Sequence, residues 1–287
     1  MSAPALPAIE PCPGWGPLDT LLDAARAQRY AAATNDGTPV YEEGSPVPPL
    51  FVVVPIFDLV HRAIRESVPV SVMAAARAAV HGEHDIVFHR PALIGSHVRS
   101  RAELSAVQTS ASGTRVTVRF RTCDADDHLI VEQFWTTFLQ GSPVAGSWGD
   151  PAPDHTFPAE ARSHPVGEVV TRIDDDLPLR YADASGDHSP HHVDREAARH
   201  EGFPDLLVHG LSVMALSGRA VLETVGGSNP ARLRRLAVRF AAPVFPGTDL
   251  SVRIYDAGAT PGGRRAYAFE AAAGDALVIK NGWAELD

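Results

Sequence analysis

The chain has 287 residues, 45% of them hydrophobic, with 25 basic against 35 acidic side chains and a formal charge of -10. That is enough apolar material for one large core or two modest ones, and the acidic balance argues against nucleic acid or an anionic membrane as a general partner. No apolar run approaches the ~20 residues that span a bilayer, the start lacks the basic-then-apolar order of a secretory signal, and Cys12 and Cys123 are the only cysteines, so a reducing, cytoplasmic setting is expected.

In chain order, residues 1–17 repeat Pro and Gly and read as a loose lead-in. Leu18 to Ala33 offers Leu21, Leu22, Ala25 and Tyr30 as an apolar face and predicts a helix. Thr34–Pro49 is loop-like. Leu50 to Ile64 is strongly apolar but interrupted by Pro55, which predicts a short strand or turn to Val54 and a helix from Ile56.

Extended segments follow at His84–His89 and Gly95–Leu104, with a turn at Ser110–Gly113. Val116, Val118 and Phe120 then alternate with Thr117, Arg119 and Arg121, the period of a half-buried strand. A turn at Asp124–His128 and a strand over Leu129–Leu139 complete the half. A helix followed by an antiparallel meander is an α+β order.

Between Gly141 and His164, Pro, Gly and Ser recur without periodicity, over a length that suits an interdomain crossing. The expected division is therefore a first unit over 1–145, a linker over 146–164 and a second unit over 165–287. The second unit repeats the plan, with an apolar helix after Gly210 and strands at Leu236–Phe240, Leu250–Tyr255, Arg265–Ala271 and Ala276–Glu285.

The stretch Tyr181–Leu211 carries the chemistry. Asp187 and His192 stand five positions apart with Ser189 and Pro190 between them, and Asp-x-Ser-Pro is turn chemistry that puts both on one folded loop. His209-Gly210-Leu211 opens the apolar helix, whose first turn presents free N–H groups and a partial positive charge; Gly210 admits a ligand to that backbone. A carboxylate, an imidazole and a helix start together suit the activation of water beside a thioester.

By residue type alone, Asp187 serves equally as a turn cap, His192 as a solvated imidazole, and Gly210 as a plain helix start. His81-Gly82 reads as a surface turn and Phe240 as a core aromatic. His188, His191, His192 and Asp194 are four metal-ligand types in seven residues, but Pro190 breaks any helix and no Cys is near, so no metal is expected. No Gly-rich phosphate loop follows a strand, which argues against a nucleotide fold.

Three features resemble the (R)-specific enoyl-CoA hydratase 2, or MaoC-like dehydratase, family: the block Tyr181–His192 with Ser185-Gly186-Asp187 and Pro190, the spacing from His192 to His209-Gly210-Leu211, and Arg239-Phe240 before Pro243–Gly247. The likeness extends through Tyr41–Gly44 and His81–Glu83 to most of the chain. It implies a double hotdog, each unit a long helix wrapped by an antiparallel sheet. The N-terminal hotdog would line an acyl tunnel without catalysing, and the C-terminal one would be catalytic.

The implied enzyme is a hydro-lyase of fatty acid metabolism that adds water reversibly, with syn geometry, to a trans-2-enoyl thioester. Asp187 and His192 would share the water, and Gly210 would donate to the thioester oxygen. His81, Gly82, His188, Ser189, Pro190, His191 and Phe240 would touch an acyl-CoA or acyl-carrier-protein substrate. No cofactor is implied, and either a monomer (itself a pseudo-dimer) or a homodimer fits.

Ser189 stands where the family has Asn, and His191 where it has an aliphatic residue. Ser110 replaces a Lys that meets CoA phosphate, with Arg234 and Arg235 as candidate substitutes. A dehydratase for carrier-bound polyketide or fatty-acyl intermediates, a hotdog thioesterase and a non-catalytic acyl-CoA binder are the alternatives. The C-terminal Ala-Glu-Leu-Asp is not a peroxisomal Ser-Lys-Leu ending.

Overall fold

A computed structural model describes residues 6–37 and 41–287. The expected lead-in and the loop Thr34–Pro49 therefore lie partly outside the described residues, at 1–5 and 38–40.

The first half runs β1 (Trp15–Leu21), α1 (Ala24–Ala33), a 3-10 segment (Pro49–Ile56), α2 (Phe57–Ser67), α3 (Val70–Ala75), β2 (Ala78–Phe88), β3 (His97–Ser110), β4 (Gly113–Cys123) and β5 (Leu129–Gln140). A two-residue strand, β6 (Trp148–Gly149), follows. The second half runs β7 (Pro165–Arg172), α4 (Leu177–Ser185), α5 (Pro190–Val193), α6 (Arg195–His200), α7 (Gly210–Val225), β8 (Leu233–Phe240), β9 (Asp249–Ala259), β10 (Arg265–Ala273) and β11 (Ala276–Leu286).

Ten of these strands make one antiparallel sheet in the order β1-β3-β4-β5-β2-β8-β11-β10-β9-β7, with β6 added on β3. Read from either edge, each half uses its strands in the same relative order, so the two halves meet as mirror entries at the β2–β8 ladder, where Asp85 faces Ala237. The repeat extends to sequence: Arg29-Tyr30-Ala31, Ala33-Thr34 and Asp36 parallel Arg180-Tyr181-Ala182, Ala184-Ser185 and Asp187. α1 and α4, which carry these runs, pack on each other, and the Tyr30 and Tyr181 hydroxyls bond at 3.0 Å.

Two expected elements differ. The helix expected from Leu18 starts only at Ala24, because Asp23 caps it by accepting from the Arg26 N–H, while Trp15–Leu21 pairs with β3 as an edge strand. The segment before Ile56 is a 3-10 helix and not a strand or turn; Pro55 sits inside it, and all seven residues from Leu50 to Ile56 are buried. Those apolar side chains fill the space between the sheet and the helices, which fixes the backbone more strongly than local propensity does.

α7 is the spine of the second half. Leu211, Val213, Met214, Leu216, Ala220, Val221 and Leu222 are buried in the main core with Leu236, Val238, Ile254 and Phe269 of the sheet. Each of these side chains larger than alanine contributes about 1.5–3 kcal/mol of burial, so the start of α7 is held rigidly against the strands. Residues 150–156 cross the other face of the sheet: Arg235 donates to the Pro153 and Asp154 carbonyls, and His155 Nδ1 lies 2.6 Å from the Asn281 carbonyl. Both cysteines are free, and no described helix is long and apolar enough to cross a membrane.

Candidate active site

α4 ends at Gly186, whose φ of 92° is the left-handed conformation that glycine adopts without strain. The chain then turns into Asp187, and the Asp187 N–H donates to Ser185 Oγ at 3.1 Å. Arg26 of α1 anchors this turn from the other half, donating to the Ala184 carbonyl (3.1 Å) and the Ser185 carbonyl (2.9 Å). Pro190 does not break a helix here. It occupies the first turn of α5, where a missing N–H costs nothing, and His192 sits within that single turn while Asp187 stays on the loop before it.

The Asp187 carboxylate accepts from Ser189 twice, from Oγ at 2.6 Å and from the backbone N–H at 3.1 Å. Burial acts to raise its pKa, but His209, these Ser189 bonds and His192 outweigh it, and the carboxyl ends below the usual range. His192 Nδ1 lies 2.8 Å from the Leu207 carbonyl; a carbonyl only accepts, so Nδ1 carries the proton and Nε2 is left as a base. Burial, reinforced by the neighbouring His209, pushes the His192 pKa down to about 3. At neutral pH the pair is thus an ionised carboxylate beside a neutral imidazole.

His209 completes the cluster. It is 1% exposed, stacks on His192 with ring centroids 3.7 Å apart and planes 22° apart, and donates from Nε2 to the Asp187 carbonyl at 3.0 Å. One polar atom each from Asp187, His192 and His209 falls within 4.8 Å of the others. Such a group has metal-ligand chemistry, yet imidazole lone pairs lie in the ring planes, and two nearly parallel stacked rings do not converge on one cation.

α7 begins immediately after His209, with its first intrahelical bonds made by the Ser212 and Val213 N–H groups to the His209 carbonyl. The Gly210 N–H precedes them in the orphan first turn. A Cβ at Gly210 would stand 3.2–3.4 Å from atoms of the Phe240 ring, so that ring lies on the glycine. Phe240 lies 5.0 Å from His81 between ring centroids, and His81 stacks on Trp135 at 3.5 Å. A register shift at Gly82 in the β2–β5 ladder interrupts the pleat between His81 and His84, whose rings lie 5.2 Å apart beside Trp135.

A chain of contacts drawn from both halves therefore runs from His192 through His209 and Gly210 to Phe240 and His81. His188, on the loop, and Pro190, at the start of α5, are exposed. His191, part-exposed, is held at 3.1 Å by Glu201 while its ring edge meets His192 at 4.2 Å between centroids. Arg234 and Arg235 are not available as the phosphate substitutes expected from sequence. Arg234 pairs with Asp287, and Arg235 is locked onto Asp85 at 2.7 Å, a carboxylate that is 1% exposed and whose charge requires a partner.

Sequence reasoning missed Tyr181, Arg26 and the part taken by His209. The parallel runs around Tyr30 and Tyr181 were the legible signal for the first of these.

Residues 155–271 match the MaoC like domain. Over 203 residues the chain is 32% identical to 3-hydroxyacyl-thioester dehydratase Y of Mycobacterium tuberculosis, a match covering 69% of this chain and 68% of that protein. The chain belongs to the MaoC-like dehydratase family. It is also 32% identical over 154 residues to the peroxisomal multifunctional enzyme type 2 of Drosophila melanogaster, covering 53% of this chain but only 25% of that longer enzyme. A MaoC-like dehydratase from Phytophthora capsici superposes with a TM-score of 0.79 at 19% identity, covering 96% of each chain, a likeness of fold alone. This MaoC-like chain has the double hotdog fold, with α7 as the wrapped helix of the second hotdog.

Proposed function

We propose that this MaoC-like protein is an (R)-specific enoyl-thioester hydratase and 3-hydroxyacyl-thioester dehydratase. The observation that carries the reading is the Asp187 carboxylate and the His192 imidazole held within 4.8 Å of each other at the start of α7. Water between them gives a proton to this basic pair as its oxygen forms a bond to Cβ of the enoyl thioester. The Cα=Cβ electron pair moves towards the thioester carbonyl, and the Gly210 N–H stabilises the enolate oxygen. The proton then passes to Cα from the same face, which makes the addition syn, and the reverse sequence is dehydration.

His81, Gly82, Ser189, His191 and Phe240 form the adjoining wall in this reading, with His188 and Pro190 on its exposed rim. The first hotdog supplies acyl space. A cavity of about 530 Å³ runs between Tyr30, Pro48, Leu50 and the Ala215–Leu222 face of α7, within reach of a chain passing along the helix from Gly210. A series of trans-2-enoyl-CoA substrates checks this: turnover confined to four-carbon chains removes the cavity from the substrate path.

The deciding experiment follows enoyl absorbance with crotonyl-CoA, together with chiral analysis of the product. Asp187→Asn and His192→Ala each lower turnover by at least ~10²-fold, the contribution of a positioned acid–base group, with circular dichroism unchanged. Release of free thiol instead of loss of the enoyl band makes the protein a thioesterase. Acyl-CoA binding without turnover makes it a binder. Running carrier-tethered beside CoA substrates settles which thioester it takes.

A further inference from the structure

Asp187 and His192 lie on a loop and a single helical turn; hydrogen bonds within that segment tie the Asp187 carboxylate to Ser189, whereas the His192 ring is hydrogen-bonded outside it, to the Leu207 carbonyl. His209 is built differently. Its carbonyl accepts from the Ser212 N–H at 3.0 Å, the Val213 N–H at 3.1 Å and Ser212 Oγ at 2.8 Å, so its backbone is fixed to a four-turn buried helix. From that base the ring reaches both catalytic groups: its face lies on His192, and its Nε2–H bonds the backbone carbonyl of Asp187.

Tyr181 closes the other side at 4.7 Å between centroids and is braced in turn by the Tyr30 hydroxyl from the first hotdog. His209 Nδ1 is buried without a protein partner. With Nε2 committed as donor, Nδ1 carries no proton, and adding one would bury a bare N–H.

We propose that His209 is a positioning residue of the hydratase site, clamping the His192 ring by stacking and the Asp187 backbone by hydrogen bonding, so that the acid–base pair is held in register with the start of α7. The role rests on the hydratase reading of Asp187 and His192. After burial, it is also the largest influence on their protonation. Two stacked imidazoles 3.7 Å apart resist carrying a second charge, and His209 acts to lower both the His192 and the Asp187 pKa. The other titratable groups facing the cluster are His191, itself paired with Glu201, His188 and Tyr181.

The test uses the full chain and two variants that divide the role. His209→Phe keeps a ring and loses the donor; His209→Gln keeps an amide donor and loses the ring. Each is expected to lower kcat by roughly 10–100-fold with KM within about threefold of wild type, the effect of a reacting group misplaced by about an ångström. Each is also expected to move the acid limb of kcat/KM up by about one pH unit as His192 escapes its neighbour.

Histidine ring NMR reads the same effect without turnover. His192 should stay neutral down to about pH 4 in wild type and titrate higher in a folded variant. Wild-type kcat and acid limb in both variants overturn the proposal. So does a loss of activity that tracks lost thermal stability with the limb unmoved, or a wild-type His192 titrating near 6.5. If wild-type protein hydrates no enoyl thioester, the functional reading falls, while the NMR titration still decides the clamp.

Discussion

Ser189 determines how tightly the Asp187 carboxylate is held. A serine cannot reach as far as the asparagine expected from the family resemblance, and here it folds back to bind Asp187 through both hydroxyl and backbone N–H. Removing the hydroxyl in Ser189→Ala takes away a hydrogen bond to a charged acceptor, an interaction of about 1.5–3 kcal/mol. The Asp187 pKa rises and its acid limb moves to higher pH, with the largest loss of kcat/KM on the acid side of the profile. A pH–rate profile of the variant checks this, and a profile superimposable on wild type removes Ser189 from the site. His191, the other departure, is drawn onto Glu201 of the turn after α6, so its polarity is absorbed within the loop.

Among the elements, the β2–β8 ladder joins the two hotdogs and carries the ion pair between Arg235 and Asp85. Burial raises the Asp85 pKa despite Arg235, whereas the less buried Arg235 gains from Asp85 and its own pKa goes up. The pair is thus costly to bury and costlier to split. Arg235→Met should destabilise the fold by about 3–5 kcal/mol by stranding the Asp85 charge, and Asp85→Leu in the same chain should recover most of that loss. Urea midpoints of the two variants test it; an additive double variant shows that Asp85 is satisfied elsewhere. Because His81 and Phe240 lie on the same two strands just beyond this ladder, the single Arg235 variant should also lose activity below its own melting range.

At the scale of the whole molecule, three buried histidines, His84, His192 and His209, and the half-buried His81 are held as neutral rings. Burial holds His84 and His209 at about 4, His192 at about 3, and His81 well below its ordinary value. The unfolded chain binds these protons near pH 6.5, so between roughly pH 6.5 and 4 it holds more protons than the native state, and stability rises with pH across that window. The stability is fully present above pH 6.5 and is lost on acidification by up to about 1.4 kcal/mol per pH unit for each ring. His155 opposes the trend: burial acts to lower its pKa, but Glu83 and the Asn281 carbonyl raise it, so its contribution is present at low pH and fades as pH rises through that value. With four rings against one, the urea midpoint should drop steeply from pH 6.5 to 4.5, and a flat profile there would mean these rings are protonated in the native state.

The sequence by itself determined the α+β order, most strands of the meander and the turn at Asp187 and Ser189, although His192 lies in the helical turn that Pro190 starts. Each of these depends on neighbours in the chain: alternation of apolar side chains, turn residues, and a proline beside a serine. Tertiary structure decided what depends on contacts between distant residues. β1 is a strand because β3 offers it an edge, Leu50–Ile56 is helical because both faces are buried, and Arg235 is consumed because Asp85 lies across a ladder 150 residues away. His209 is the clearest instance, since stacking on one ring and bonding one carbonyl are relations in space that no spacing along the chain records.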